Sequence, residues 1–242
     1  MPNHQEKVCL IVPCYNEEAR LDMDRFVAGP ARCLFLFVND GSTDGTAHAI
    51  REQLGERVYL LDLPRNVGKA EAVRAGMLHA SRTSPLNEAD WIGFWDADLA
   101  TPLSEVTAFL RFGQIVEDRV DSIWGSRMDR LGSAIRRSYL RHLAGRLVAT
   151  AAGFLLGLPS YDSQCGAKLF RREIVEIAFS EPFICRWLFD MELLMRLKDY
   201  RIVEYPLRQW RDISGSRSRM VTMALHVLPE LVRIRLKYGR LN

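Results

Sequence analysis

The first 126 residues predict an α/β chain with a mostly parallel sheet covered by helices on both faces. Short apolar runs alternate with helical segments four or five times over that length. Each run ends in polar residues: Tyr15 and Glu17, then Asp40, Lys69, and finally Asp96 and Asp98. In open α/β sheets the C-terminal ends of the strands border the ligand crevice, so convergence of these ends predicts a Rossmann-like nucleotide site. No G-x-G-x-x-G follows the first run and no Walker A loop is present, which weighs against dehydrogenases and P-loop enzymes.

Residues 8–12, Val-Cys-Leu-Ile-Val, form a buried strand stopped by Pro13. The polar loop Cys14-Tyr15-Asn16-Glu17-Glu18 leads from it into a helix. A second buried strand, 33–38, ends in Asn39-Asp40-Gly41-Ser42-Thr43-Asp44-Gly45-Thr46, which is dense in turn formers and caps and opens a helix over 46–54. The third strand, 58–61, is followed by Arg65-Asn66-Val67-Gly68-Lys69 and a helix over 70–80. The fourth, 91–95, ends in Asp96-Ala97-Asp98. Burying two carboxylates one residue apart is costly unless a cation or donor hydrogens compensate them. A hard divalent ion that also carries substrate phosphates does so; an acidic turn after a strand is the plainer alternative. Thr101-Pro102 then caps a helix to about 116, and 122–125 is a fifth strand.

The second half reads differently. Residues 133–156 predict a helix with Leu140, Leu143 and Leu147 on one face and Arg137 and Arg141 on another. Residues 161–170 set polar groups between apolar anchors, as a loop lining the site would. Asp190 and Glu192 stand in an apolar helix start, where an N-cap and a first-turn acid are the structural reading. Residues 202–206 form a last strand, and 210–219 a basic loop suited to phosphates. In the tail Val221, Leu225, Leu228 and Val232 keep helical spacing, residues 232–238 alternate like a strand, and Pro229 intervenes. A broken amphipathic helix is expected there.

The 242 residues are 48% hydrophobic and 26% charged, enough for a substantial core. The net charge of +3 hides a segregation: 127–146 holds six arginines against Asp129, and 208–240 eight basic residues against Asp212 and Glu230. Such charge suits an anionic partner, phosphate or a membrane surface, where it is not simply solvated; no nucleic-acid motif accompanies it. The polar N-terminus lacks a signal-peptide core, and the longest uncharged stretch, 147–161, is too short and interrupted to span a bilayer. Five cysteines without a C-x-x-C spacing argue against a zinc site or disulfide framework. A cytoplasmic protein is expected, peripheral on the inner face of a membrane where its basic helices meet anionic lipid.

Eight motifs occur in order: Ile11-Val12-Pro13-Cys14-Tyr15-Asn16-Glu17, Asn39-Asp40-Gly41-Ser42-Thr43-Asp44, Arg65-Asn66-Val67-Gly68-Lys69, Asp96-Ala97-Asp98, Gly125-Ser126-Arg127, Asp162-Ser163-Gln164-Cys165-Gly166, Arg186-Trp187-Leu188-Phe189-Asp190 and Ile213-Ser214-Gly215-Ser216-Arg217. In this the chain resembles the GT-A-fold family-2 glycosyltransferases, and within them the polyprenyl-phosphate (dolichyl-phosphate) β-glucosyltransferases and mannose synthases. The resemblance implies a metal-dependent, inverting transfer of a hexose, glucose from UDP-glucose, to a polyprenyl phosphate. Pro13, Tyr15 and Glu17 would hold the nucleoside, Asp40 the uracil imide, Lys69 the neighbourhood of the base and Asp96 the ribose. Asp98, beside Asp96, would bind Mg²⁺ or Mn²⁺ bridging the diphosphate, over which Arg217 would close. Arg127, Arg136 and Arg137 would suit the acceptor phosphate, with Gln164 nearby on sugar or acceptor. A phosphate acceptor needs no strong base; a hydroxyl acceptor would need Asp162 or Asp190.

The implied division is a nucleotide-sugar half over 1–126, an acceptor and catalytic half over 127–220 and a basic tail over 221–242. Two features depart from the family pattern. Ala100 stands where some mannosyl-type relatives carry a metal-ligating Gln, and no transmembrane helix is read, unlike in many relatives. Competing readings are a soluble or saccharide acceptor, a nucleotidyltransferase and an inactive nucleotide-sugar-binding module. Pro13-Cys14-Tyr15-Asn16-Glu17 stands where a nucleotidyltransferase carries its Gly-rich basic loop.

Overall fold

Successive side chains of a strand point to opposite faces, so a run that is apolar at every position needs cover on both sides. The computed structural model, which describes residues 6–116, 118–136, 139–212 and 219–241 (backbone alone for 139–144 and 219–226), has that arrangement. Its strands are β1 (Val8–Cys14), β2 (Cys33–Asn39), β3 (Val58–Asp62), β4 (Trp91–Trp95), β5 (Ser122–Ser126), β6 (Ala134–Arg136), β7 (Ala167–Arg171), β8 (Ile202–Pro206) and β9 (Gln209–Arg211). Seven of them make one mixed sheet in the order β3-β2-β1-β4-β7-β5-β8, and β6 pairs with β9 in a small parallel sheet. Every pairing in the large sheet is parallel except those of β7, which runs antiparallel to both β4 and β5.

The helices are α1 (Met23–Val27), α2 (Thr46–Arg51), α3 (Lys69–Arg82), α4 (Ser104–Ile115), α5 (Tyr139–Leu156), α6 (Arg172–Phe179), α7 (Phe189–Arg196) and α8 (Arg219–Tyr238). Val8, Leu10 and Val12 of β1 pack with Phe26 of α1 and Phe109 of α4 on one face. Cys9 and Ile11 face the other, against Val73 and Met77 of α3, with Val175 and Phe179 of α6 in the same core. A third core joins Val148, Ala152 and Leu156 of α5 to Leu188, to Met191 of α7 and to Leu231 and Ile234 of α8. Among the described residues no helix is long and apolar enough to cross a membrane.

Three expectations are corrected. The loop read over 161–170 ends early, because Ala167–Arg171 is the central antiparallel strand β7. The helix read over 133–156 starts only at Tyr139, because Ala134–Arg136 pairs with Gln209–Arg211, a partner distant in sequence that local periodicity cannot reveal. The tail is neither broken nor a strand: α8 runs unbroken through Pro229. A proline inside a helix costs about 3 kcal/mol, whereas burying Val227, Leu231 and Ile234 returns roughly 1.5–3 kcal/mol each. The large sheet draws strands from both sides of residue 126, since β7 lies between β4 and β5.

Candidate active site

A cavity of about 1080 Å³ opens where β1, β2 and β4 end. The antiparallel course of β7 matters here: its first residues lie beside the last residues of β4, so the loop before β7 meets the Asp96-Ala97-Asp98 turn. The Asp96 amide donates to the Gly166 carbonyl at 3.0 Å. Leu99 follows in the left-handed region, φ +51°, a strained conformation for leucine of the kind that collects at functional sites. The turn delivers the Ala100 amide to Asp98 Oδ1 at 3.0 Å. Lys69, the first residue of α3, pairs with Asp96 at 2.5 Å. Burial, and then the charge of Asp96, push the Asp98 carboxyl above its ordinary range.

Asp40 fastens the loop that carries Lys69. Its two carboxylate oxygens accept the amides of Val67 at 2.7 Å and Gly68 at 2.9 Å. Burial pushes its carboxyl up against the pull of those two bonds. Each oxygen keeps a second lone pair, so contact with a base remains available. Tyr15 is 46% exposed at the rim, while Glu17 is held through its amide by Thr46 Oγ1 at 2.8 Å and through its carboxylate by Arg20. Pro13, Tyr15, Glu17, Asp40, Lys69, Asp96 and Asp98 all line the cavity.

Asp162 and Asp190, the two expected bases, sit in different surroundings. Asp162 accepts from the Arg127 amide at 2.9 Å and from Arg127 Nε and Nη2 at 2.7 Å each. Burial raises its carboxyl, but the Arg127 charge and hydrogen bonds prevail and hold it below the usual range. A carboxylate so engaged is a poor base, and the same contact occupies Arg127, which also lies 5.4 Å from the Trp210 ring. Asp190 instead meets Lys168, whose Nζ donates to Asp190 Oδ1 and to the Cys165 carbonyl, both at 2.6 Å. Lys168 is fully buried between the rings of Trp124 and Phe94. Burial pushes the Asp190 carboxyl up against the Lys168 charge, and its second oxygen has no hydrogen bond among the described residues.

Arg127, Gln164, Asp162 and Asp190 line the cavity. Arg136 is not among the lining residues; it is exposed on β6, where pairing with β9 fixes its backbone. Arg137 and Arg217 lie outside the described residues.

A family model described as glycosyl transferase family 2 matches residues 9–178, from β1 through most of α6. The chain belongs to glycosyltransferase family 2. This glycosyltransferase is 32% identical to a dolichyl-phosphate beta-glucosyltransferase of Trichomonas vaginalis over 98% of its own length and 75% of the relative's. To the dolichyl-phosphate beta-glucosyltransferase of Homo sapiens it is 30% identical, over 96% and 76%. In fold it is similar to glucosyl-3-phosphoglycerate synthase from Mycobacterium tuberculosis, solved in complex with Mn²⁺ and uridine-diphosphate-glucose. That match has a TM-score of 0.63 at 19% identity and covers 98% of this chain and 81% of that one. The α/β, GT-A-like expectation is met.

Several groups of the glycosyltransferase's cavity carry no role in the sequence reading. Gly166 is one: a Cβ there would stand 1.8 Å from Asp96 Oδ2, so glycine leaves the Asp96 carboxylate room to stand where it does. Glu230 of α8 is another. Its carboxylate accepts the amides of Arg186 at 3.1 Å, Trp187 at 3.1 Å and Leu188 at 2.8 Å, which ties the C-terminal helix to the loop entering α7. The Leu188 amide, at the N-cap of α7, is one that the helix itself leaves open, and the other two belong to the loop before it. A lone lysine inside Ala167-Lys168-Leu169-Phe170 and a lone acid in a basic tail were the available signals for Lys168 and Glu230.

Asp96 and Asp98 fit a hard divalent cation. Both are oxygen donors at one turn, and a cation would offset the burial and the Asp96 charge that together raise the Asp98 carboxyl. Among the described residues no third His, Cys, Asp or Glu joins them. The remaining positions would fall to phosphate oxygens and water, the usual habit of Mg²⁺.

Proposed function

We propose that this glycosyltransferase moves glucose from UDP-glucose to a polyprenyl phosphate with inversion at the anomeric carbon. The observation that carries the sugar and the acceptor is the near-full-length likeness to dolichyl-phosphate beta-glucosyltransferases. UDP as the nucleotude carrier is supported by the fold neighbour solved with UDP-glucose and Mn²⁺. Tyr15, Glu17 and Asp40 hold the nucleoside, with Lys69 and Asp96 closing its inner side, and Asp98 with Asp96 holds Mg²⁺ or Mn²⁺. When bound, the cation supplies Lewis-acid stabilisation to the departing nucleoside diphosphate. The acceptor phosphate is already ionised near neutral pH, so its oxygen attacks without a protein base. This agrees with an Asp162 closed by Arg127 and an Asp190 matched by Lys168.

The test is a thermal-shift series with UDP-, GDP- and dTDP-sugars, each with Mn²⁺, Mg²⁺ or EDTA. At a hundred times Kd a ligand specific for the folded state adds about 2.7 kcal/mol, roughly 5–10 °C for a chain of this size. UDP-glucose with Mn²⁺ is expected to give that shift, and EDTA or Asp98→Asn to remove most of it. An equal shift from GDP- or dTDP-sugars would overturn the donor assignment.

A further inference from the structure

We infer that Arg146, Arg186 and Arg233 form a subsite for a phosphate group that carries a hydrocarbon chain. The inference deepens the acceptor reading above and rests on it. The starting observation is an imbalance of charge. Arg127, Arg196 and Arg74 are each matched by a carboxylate, from Asp162, Glu192 and Glu71. Of these only Arg127 lines the cavity; Arg146, Arg186 and Arg233 line it too, and none of them has a carboxylate within ion-pair distance among the described residues. Among the described residues Arg146 donates only to the Tyr161 carbonyl, at 3.3 Å, and it lies 4.3 Å from the Tyr161 ring.

The three are held by the fold. Glu230 fixes the backbone at Arg186, and Arg233 follows Glu230 by one helical turn on α8. Arg146 sits on α5, which packs against α8 in the third core. The Arg186 guanidinium also reaches the start of α3: a Cβ placed on Gly68 would lie 3.6 Å from Arg186 Nη2. The arginine wall therefore adjoins the end of the cavity where Lys69 and Asp96 stand. Fixed guanidinium groups of like sign repel one another, and an anion with several oxygens relieves the repulsion while accepting forked hydrogen bonds.

Besides the Glu230 carboxylate, which is taken up by backbone amides, the same elements contribute apolar groups to this wall. Val148 and Ala149 of α5, Ile184 and Met191 line the cavity beside the arginines. The exposed faces of the same two helices carry Leu147, Phe154, Leu228, Val232 and Leu236. Free phosphate or a small phosphorylated metabolite has no use for such a surface. A phosphate esterified to a hydrocarbon uses both parts, its head on the arginines and its chain leaving along α5 and α8. The assignment moves the acceptor phosphate away from Arg127, which Asp162 already engages, and from exposed Arg136.

The experiment is direct titration of the full chain with farnesyl phosphate, farnesol and inorganic phosphate, in wild type, Arg146→Gln/Arg233→Gln and Arg136→Gln. UDP binding serves as the check on folding and on the donor end. The double variant is expected to weaken farnesyl phosphate at least tenfold with UDP binding kept, and farnesol to bind far more weakly than its phosphate. Farnesyl phosphate binding that survives the double variant, or that falls in Arg136→Gln alone, would overturn the subsite. Inorganic phosphate binding as tightly as farnesyl phosphate would overturn its hydrocarbon half. Glucose transfer to farnesyl phosphate, read in parallel, separates the two claims. Transfer with an unchanged acceptor KM in the double variant removes the subsite and leaves the proposed function. Arginine-dependent binding without transfer in wild type leaves the subsite and removes the proposed function.

Discussion

Gly166→Ala is expected to lower kcat/KM by about a hundredfold or more while leaving the fold intact. The added methyl would fall 1.8 Å from Asp96 Oδ2 and 2.2 Å from its carboxyl carbon. The obstructed atoms are the end of a side chain, so the carboxylate swings aside and the backbone keeps its course. Swinging aside breaks the Asp96–Lys69 pair and moves one of the two carboxylates proposed to hold the cation. Displacements of about 1 Å in a catalytic constellation cost on the order of 10² in rate. The check is UDP release with UDP-glucose and acceptor, beside a melting curve. Wild-type kcat/KM in a folded Gly166→Ala protein would show that Asp96 has no positional role.

Lys168→Met is expected to have the largest effect on stability. The methionine retains most of the volume between Trp124 and Phe94 but removes the only cation bonded to Asp190 among the described residues. Removing one partner of a buried ion pair costs about 3–5 kcal/mol, because the other charge is left unmatched. For a chain of this length that is a fall in Tm of roughly 6–20 °C. If the unmatched carboxylate is the cause, Lys168→Met/Asp190→Asn recovers more than half of the loss. Additive losses in the double variant would instead mean that lysine packing, not charge, holds the site.

These two positions also show what the sequence disclosed and what it did not. The parallel strands β1, β2 and β4 were legible because each is a five- to seven-residue run with apolar character at nearly every position that gives way to polar residues, as at Val38-Asn39-Asp40 and Trp95-Asp96. The donor-end groups were legible with them, because polar residues at strand ends mark the crevice before any contact is known. β7 was not legible: Lys168 interrupts its apolar run, and what makes the lysine tolerable is Asp190, 22 residues on, with two rings from β4 and β5. β6 and β9 are three residues each and exist through each other. Pro229 argued for a break in the tail, and only the packing of α8 against α5 and α7 overrides it. The three unmatched arginines come from α5, α8 and the loop before α7, so their shared wall is a property of tertiary packing and of the Glu230 tether.

The most direct measurement is incubation of the full chain with UDP-glucose labelled in the sugar, Mn²⁺ and dolichyl phosphate, followed by partition into organic solvent. The predicted result is label in the organic phase as a β-linked, acid-labile glucosyl phosphate, with UDP released in equal amount and both abolished by EDTA. Release of pyrophosphate, or label transferred only to water-soluble acceptors while dolichyl phosphate stays unmodified, would contradict the account.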